Sequence, residues 1–244
     1  MTGESGRGDP ERTLELLWGT REPAARGPKP GLTIEQIVEA AIGLADADGL
    51  DALSMRRLAG ELGVGTMSLY RYVPAKAELV DLMLDALNRE VAAPDGSKTG
   101  WRELLEHYAR EGWALLQRHP WAATAQTRPV LGPNTLDAYE AVLSAAAGTG
   151  LEPADVLNAA ELVSGYVDGA ARRSAEAAET QRRTGVTDEQ WWTERESLWE
   201  RYFDVERYPM ITAMWEADAF DARADAFEFG LQRVLDGIEA YIAG

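Results

Sequence analysis

The sequence predicts an all-α protein: a three-helix head followed by a larger helical-bundle body, about ten helices in all. Three observations predict it. From Thr33 onward apolar residues recur three and four positions apart, the period of an amphipathic helix. Strict two-residue alternation, the mark of a half-buried strand, is scarce. Proline or glycine stands at nearly every junction between periodic segments. With 244 residues, 45% of them apolar, the chain has enough material to close a core.

Residues 1–32 hold Pro10, Pro23, Pro28 and Pro30 among six glycines and read as a mostly flexible arm. Its one apolar knot, Leu14 to Trp18, is a candidate for local docking. The RGPKPG segment that ends the arm, with Arg26 and Lys29, is either a linker or a basic strand suited to a minor groove.

Residues 33–93 form the head. Thr33 and Gln36 have the spacing of a capping box, and Ile34, Ile37, Val38, Ala41, Leu44 and Ala45 then share one helical face. Gly49 stops that helix. A second, over 55–62, has Ser54 as its N-cap, and Gly63-Val64-Gly65 breaks it. A third spans 66–72 and ends at Val73-Pro74, because the residue before proline avoids the helical region. A fourth, over 76–91, carries Val80, Met83, Leu84 and Leu87 on one face.

The segment LSMRRLAGELGVGTMSLYRYVPAKAELV is the informative one. Two short helices joined by a glycine turn give a helix-turn-helix. Leu58, Ala59, Leu62, Val64 and Leu69 can hold the two together, with Ala59 and Gly63 small where they approach. Thr66, Met67, Ser68, Arg71 and Tyr72 are left facing outward, a set suited to a major groove. The chain is strongly acidic, with net charge −17, which disfavours indiscriminate nucleic-acid binding. Yet residues 53–76 carry Arg56, Arg57, Arg71 and Lys76 against Glu61 alone, and screening confines each charge to roughly 8–10 Å.

Over about residues 31–91, in order and spacing, the chain resembles the TetR family of transcription regulators. The stretch LYRYVPAKAEL carries the resemblance most specifically. The resemblance implies roles residue by residue. Arg56 would contact a base or a phosphate. Thr66, Met67 and Ser68 would form the base-reading end of the recognition helix. Tyr70 and Tyr72 would touch phosphates or thymine methyls, and Arg71 a base or the backbone. Lys76, at the opening of the fourth helix, would hold a phosphate together with free backbone N–H groups. Arg57 reads as a surface charge, and Tyr70 has packing against the first helix as its alternative.

Pro94-Asp95-Gly96-Ser97 marks the start of the body, 94–244. Helices are expected over 101–119, 134–147, 153–183, 188–203, 209–215 and 221–243. In the last, Phe220, Ala224, Phe227, Leu231, Val234, Ile238 and Tyr241 step by four and three, the pattern of a packing seam. In 153–183, Val156, Ala160, Val163, Val167 and Ala171 share a face, with Gly165 and Gly169 permitting close approach. The family architecture implies an intermolecular four-helix bundle, with Val163, Val167, Phe227, Leu231, Val234 and Ile238 at a homodimer seam; the alternative is burial within one subunit. Seven of the eight tryptophans lie in the body. More large aromatics than a seam can use suit a pocket for a large, mostly apolar molecule. Its expected lining is His107, Trp113, Trp121, Tyr139, Tyr166, Trp192 and Trp199, with His107 as polar anchor.

Other functions find little support. There is no cysteine, no GxSxG turn and no phosphate loop. His107 and His119 are too far apart for an adjacent metal pair, so no metal or cofactor is expected. No apolar stretch approaches a membrane span, and residues 1–13 lack a secretory apolar core, so a cytoplasmic protein is expected. The expected partners are a palindromic double-stranded DNA operator, a small-molecule effector and a second copy of the chain. The expected function is a repressor released from DNA by its ligand. An effector-independent regulator or an activator is the alternative on the same fold, and a helical enzyme the alternative of another class.

Overall fold

The computed structural model describes residues 8–20, 32–95, 99–125, 128–220 and 225–244. Among them are thirteen α-helices and no strand. Arg26, Lys29 and Ala224 lie outside the described residues.

The arm is not wholly irregular. Residues Pro10–Leu17 form α1, capped by Asp9, whose carboxylate accepts from Glu11 N at 3.1 Å. Leu16 and Leu17 are buried in the core of the head, and Trp18 Nε1 donates to the carbonyl of Leu131 at 3.0 Å. The apolar knot docks because it is amphipathic and has a cap and an N-terminal proline, signals that can start even a two-turn helix.

The head comprises α2 (Ile34–Asp48), α3 (Met55–Glu61) and α4 (Thr66–Tyr72), with α5 (Lys76–Leu87) leading out of it. The capping box at Thr33 is formed in both directions, at 2.9 and 3.2 Å. Ser54 Oγ accepts from Arg57 N at 3.2 Å. Ile37, Val38, Ala41, Leu44 and Ala45 bury against Leu58, Ala59, Leu69 and Val73, as their spacing requires. Gly63 has φ 66°, a left-handed turn that glycine adopts without a Cβ penalty. The fourth helix is shorter than expected: after Leu87 the chain tightens into a 3-10 turn over Asn88–Glu90.

In the body α6 (Trp101–Arg118), α8 (Pro133–Ala147), α9 (Pro153–Thr184) and α13 (Ala226–Ile242) surround a second core containing Leu105, Ala109, Ala160, Leu231 and Leu235. α7 (Pro120–Ala125) restarts the chain after a break at His119 and packs beside α9. The segment expected as one helix over 188–203 is two short ones, α10 (Asp188–Thr193) and α11 (Ser197–Arg201), followed by α12 (Pro209–Glu216). A side-by-side charge ladder fixes α13 on α6. Arg102 binds Asp236 at 2.6 Å and Glu239 at 2.8 Å, and Arg110 binds Glu228 at 2.6 Å.

Candidate functional site

α4 presents two opposite faces. Leu69 is fully buried and fixes the helix on α3. Met67 is 76% exposed and Tyr70 40%, and Ser68 and Arg71 are exposed beside them. Thr66 and Tyr72 are half-buried at its two ends, and Arg56 is exposed at the start of α3. These seven side chains therefore lie on one short helix and the start of its neighbour, in a form that a groove can receive. Arg57 is not a free surface charge: it forms an ion pair with Asp48 at the end of α2. Lys76 is half-buried, and its Nζ donates to the carbonyl of Leu50 at 2.8 Å. That bond ties the opening of α5 to the turn after α2, a role its sequence position does not reveal.

Behind the head lies a cavity of about 210 Å³. Leu84 and Leu87 of α5, Leu105 and Leu115 of α6, Val142 of α8 and Val163 of α9 wall it with apolar surface. Asn88, Tyr108, Ser164 and Asp168 are its polar groups. Burial pushes the Asp168 carboxyl above the usual aspartate range, with the charge of Arg172 opposing.

The cavity lies among some of the helices expected to form a ligand pocket, but none of the seven expected lining residues is on its wall. His107 turns aside, and its Nε2 donates to the carbonyl of Ala92 at 2.8 Å. Trp113 stacks on Phe227 at 4.5 Å, toward α13. Tyr166 lies in the α9–α13 groove, where its hydroxyl donates to the carbonyl of Phe227 at 2.8 Å. Tyr139 is on the outer side of α8, 42% exposed. Trp192 and Trp199 stack on each other at 6.3 Å within the α10–α12 excursion. Trp121 is buried at the joint between head and body, and its Nε1 donates to Asp46 of α2 at 2.7 Å. The same carboxylate oxygen lies 2.8 Å from His119 Nδ1, and Glu90 lies 3.3 Å from His119 Nε2. The number of aromatics suggests a pocket lined by them; the wall of this cavity is built mostly of leucine, valine and alanine, which have no distinctive sequence signal.

The seam needs the opposite correction. Val163, Val167, Phe227, Leu231 and Ile238 are buried within one chain, and Val234 packs beside them, because α6 and α8 fold over that face. Phe220 lies outside α13. What α9 and α13 leave exposed is a neighbouring stripe with Leu162, Gly165, Phe229, Gly237 and Tyr241.

A compact three-helix head with an outward recognition helix, joined by α5 to a hollow helical body, defines a DNA-binding transcription regulator of the helix-turn-helix class. The chain belongs to the TetR family. Residues 37–83 match the family model of tetR bacterial regulatory proteins, and residues 93–242 that of the tetracyclin repressor-like C-terminal domain. The chain is 49% identical over 244 residues to the HTH-type transcriptional repressor DrrR1 of Streptomyces coeruleorubidus, covering 99% of this chain and 90% of the relative. It is 30% identical over 210 residues to the class A tetracycline repressor of Escherichia coli transposon 1721, covering 83% and 88%. Among solved structures it is similar to ActR of Streptomyces coelicolor in complex with actinorhodin, with TM-score 0.71, 29% identity and coverage of 86% and 97%. It is also similar to BioQ bound to its double-stranded DNA operator, with TM-score 0.58, 26% identity and coverage of 86% and 99%. Among the described residues no helix is long and apolar enough to cross a membrane, and no cluster of three or more metal-ligating acidic, histidine or cysteine side chains occurs.

Proposed function

We propose that this protein is a cytoplasmic homodimeric repressor that leaves a palindromic operator when a small, mostly apolar molecule fills the cavity behind the head. One observation carries the reading: α5 belongs to both units. Leu79, Val80 and Met83 are buried in the core of the head, while Leu84 and Leu87, within the next turn, wall the cavity. A ligand that pushes on that wall moves the helix on which the recognition unit sits. Coupling of this kind is typically worth roughly 1–3 kcal/mol. The named relatives support the direction of control, one being a repressor and one a regulator bound to a small molecule.

Thr66, Met67, Ser68 and Arg71 read bases in this scheme, and Arg56, Tyr70, Tyr72 and Lys76 hold the backbone. The second subunit docks on the exposed α9–α13 stripe. Gly165 and Gly237 have open space where a Cβ would stand, room for a partner helix to come close. The test is selection of bound duplexes from a random-sequence pool, then titration of the selected DNA. A two-fold symmetric consensus is expected. Arg71→Ala should cost about 1–3 kcal/mol and relax preference at one position in each half-site. An asymmetric consensus, or a variant that keeps the parental preference at every position, refutes these roles.

A further inference from the structure

The cavity opens onto a second space that is chemically unlike it. This vestibule, of about 200 Å³, shares Leu116, Ala122 and Asp168 with the cavity and adds Arg128 and Arg172. Two exposed guanidiniums and one carboxylate therefore share the mouth of a mostly apolar chamber. The feature is notable in a chain of net charge −17, whose body has far more acidic than basic residues. Arg172 is a helix residue of α9, held one turn beyond Asp168, while Arg128 comes from the loop between α7 and α8. The two thus approach the mouth from different elements. Guanidinium is always charged and offers a planar fork of donors matched to an oxyanion, and it binds anions best where apolar walls exclude water.

We infer that the effector is an acidic amphiphile: an apolar frame seated between α5, α6, α8 and α9, with one anionic group at its end held by Arg128 and Arg172. The inference rests on the cavity being the effector site, as proposed above. Asp168 stands beside the two arginines as a like charge for such a ligand. It would act as a filter, weakening binding of any anion that does not engage both guanidiniums.

Two fluorescent probes that differ only in charge test this on the full chain. 1-Anilinonaphthalene-8-sulfonate carries an anion, and N-phenyl-1-naphthylamine is the same frame without it. The sulfonate is expected to bind at least about tenfold more tightly, the scale of a charge-assisted hydrogen bond. The double variant Arg128→Ala with Arg172→Ala should erase that difference and leave the neutral probe unchanged. Asp168→Asn should tighten the sulfonate and not the neutral probe. Ala138→Leu, which fills the cavity wall away from the mouth, should weaken both and so separates this site from probe bound elsewhere on exposed aromatics. If Ala138→Leu weakens both probes but the arginine variant changes neither, the cavity stands and the anionic class is wrong. If Ala138→Leu changes neither, the cavity is not the site, and the proposed function loses its effector chamber.

Discussion

Asp85 caps a helix fifty residues away. It is buried on α5, and its carboxylate accepts from Thr135 N at 2.9 Å, Thr135 Oγ1 at 3.0 Å and Asn134 Nδ2 at 2.5 Å. These are first-turn donors of α8, whose own N-cap residue, Gly132, has no side chain to offer. The glycine is required: a Cβ there would collide with the Asp85 carboxylate. Asp85→Ala leaves those donors without a partner in a dry joint, and a loss of about 1–3 kcal/mol is expected in urea unfolding. Gly132→Ala should cost a similar amount by driving the carboxylate out. Equal unfolding midpoints for the parent and both variants would exclude the cap. Lys76 raises a related question, since its bond to Leu50 is structural while its position suits a phosphate. Lys76→Ala is expected to weaken all duplexes alike and to lower the salt slope by about 0.9 for each phosphate no longer held. An unchanged slope would refute the phosphate contact. The Thr33 and Ser54 caps were legible in the sequence because cap and partner are three residues apart. Asp85 was not, because nothing local announces a cap supplied by another helix.

At the scale of elements, periodicity and punctuation placed α2 to α4, α8, α9 and α12 to within a residue or two. Two of the misses show physical causes plainly. The end of α6 was legible, since His119 precedes Pro120, but α7 was not, because the contact that fastens it, Trp121 to Asp46, is made with a distant helix. The heptad on α13 is real, but a packing stripe looks the same whether a partner subunit or the chain's own α6 covers it. Charge was equally silent on which helix pairs with which. Glu228 has its carboxyl held below the usual glutamate range by the Arg110 guanidinium and then by Gln232, a contact visible only once α13 lies on α6. Asp168 shows the opposite shift, and its sign gives a prediction. A carboxyl raised in the folded state favours folding while protonated, and that contribution is lost as pH rises through its folded value. Asp168→Asn should therefore melt higher than the parent at pH 7, and the gain should vanish below the ordinary aspartate range, near about 3.9. A gain that persists unchanged into acid would point to packing rather than to ionisation.

For the whole molecule the central expectation is a dimer of twice 26.7 kDa. Substituting the buried seam residue Leu231 would unfold the subunit rather than part it from its partner. Leu162→Glu is the informative change, because Leu162 is 53% exposed on the outer stripe and lies against the groove beside Gly237 and Tyr241. Light scattering at micromolar concentration should give the dimer mass for the parent and half of it for this variant, with helicity unchanged. A monomeric parent, or a dimeric variant, would reject the stripe as the interface. The architecture and the reading helix were legible in the sequence. The cavity behind the head was not, since Trp191, Trp192, Trp199, Phe203, Tyr208 and Trp215 spend their aromatic surface on one another in the excursion between α9 and α13.

The ties that cross from head to body also limit how freely the chain can be cut and recombined. Excising residues 37–83 as a module would discard Leu16 and Leu17, which complete the apolar interior, and would strip Asp46 of both Trp121 and His119. The reading unit is therefore not an autonomous cassette. A chimaera that grafts another regulator's head onto this body inherits the wiring only if it also carries an acidic group at position 46 and at position 85, the points where α2 and α5 are fastened to the body.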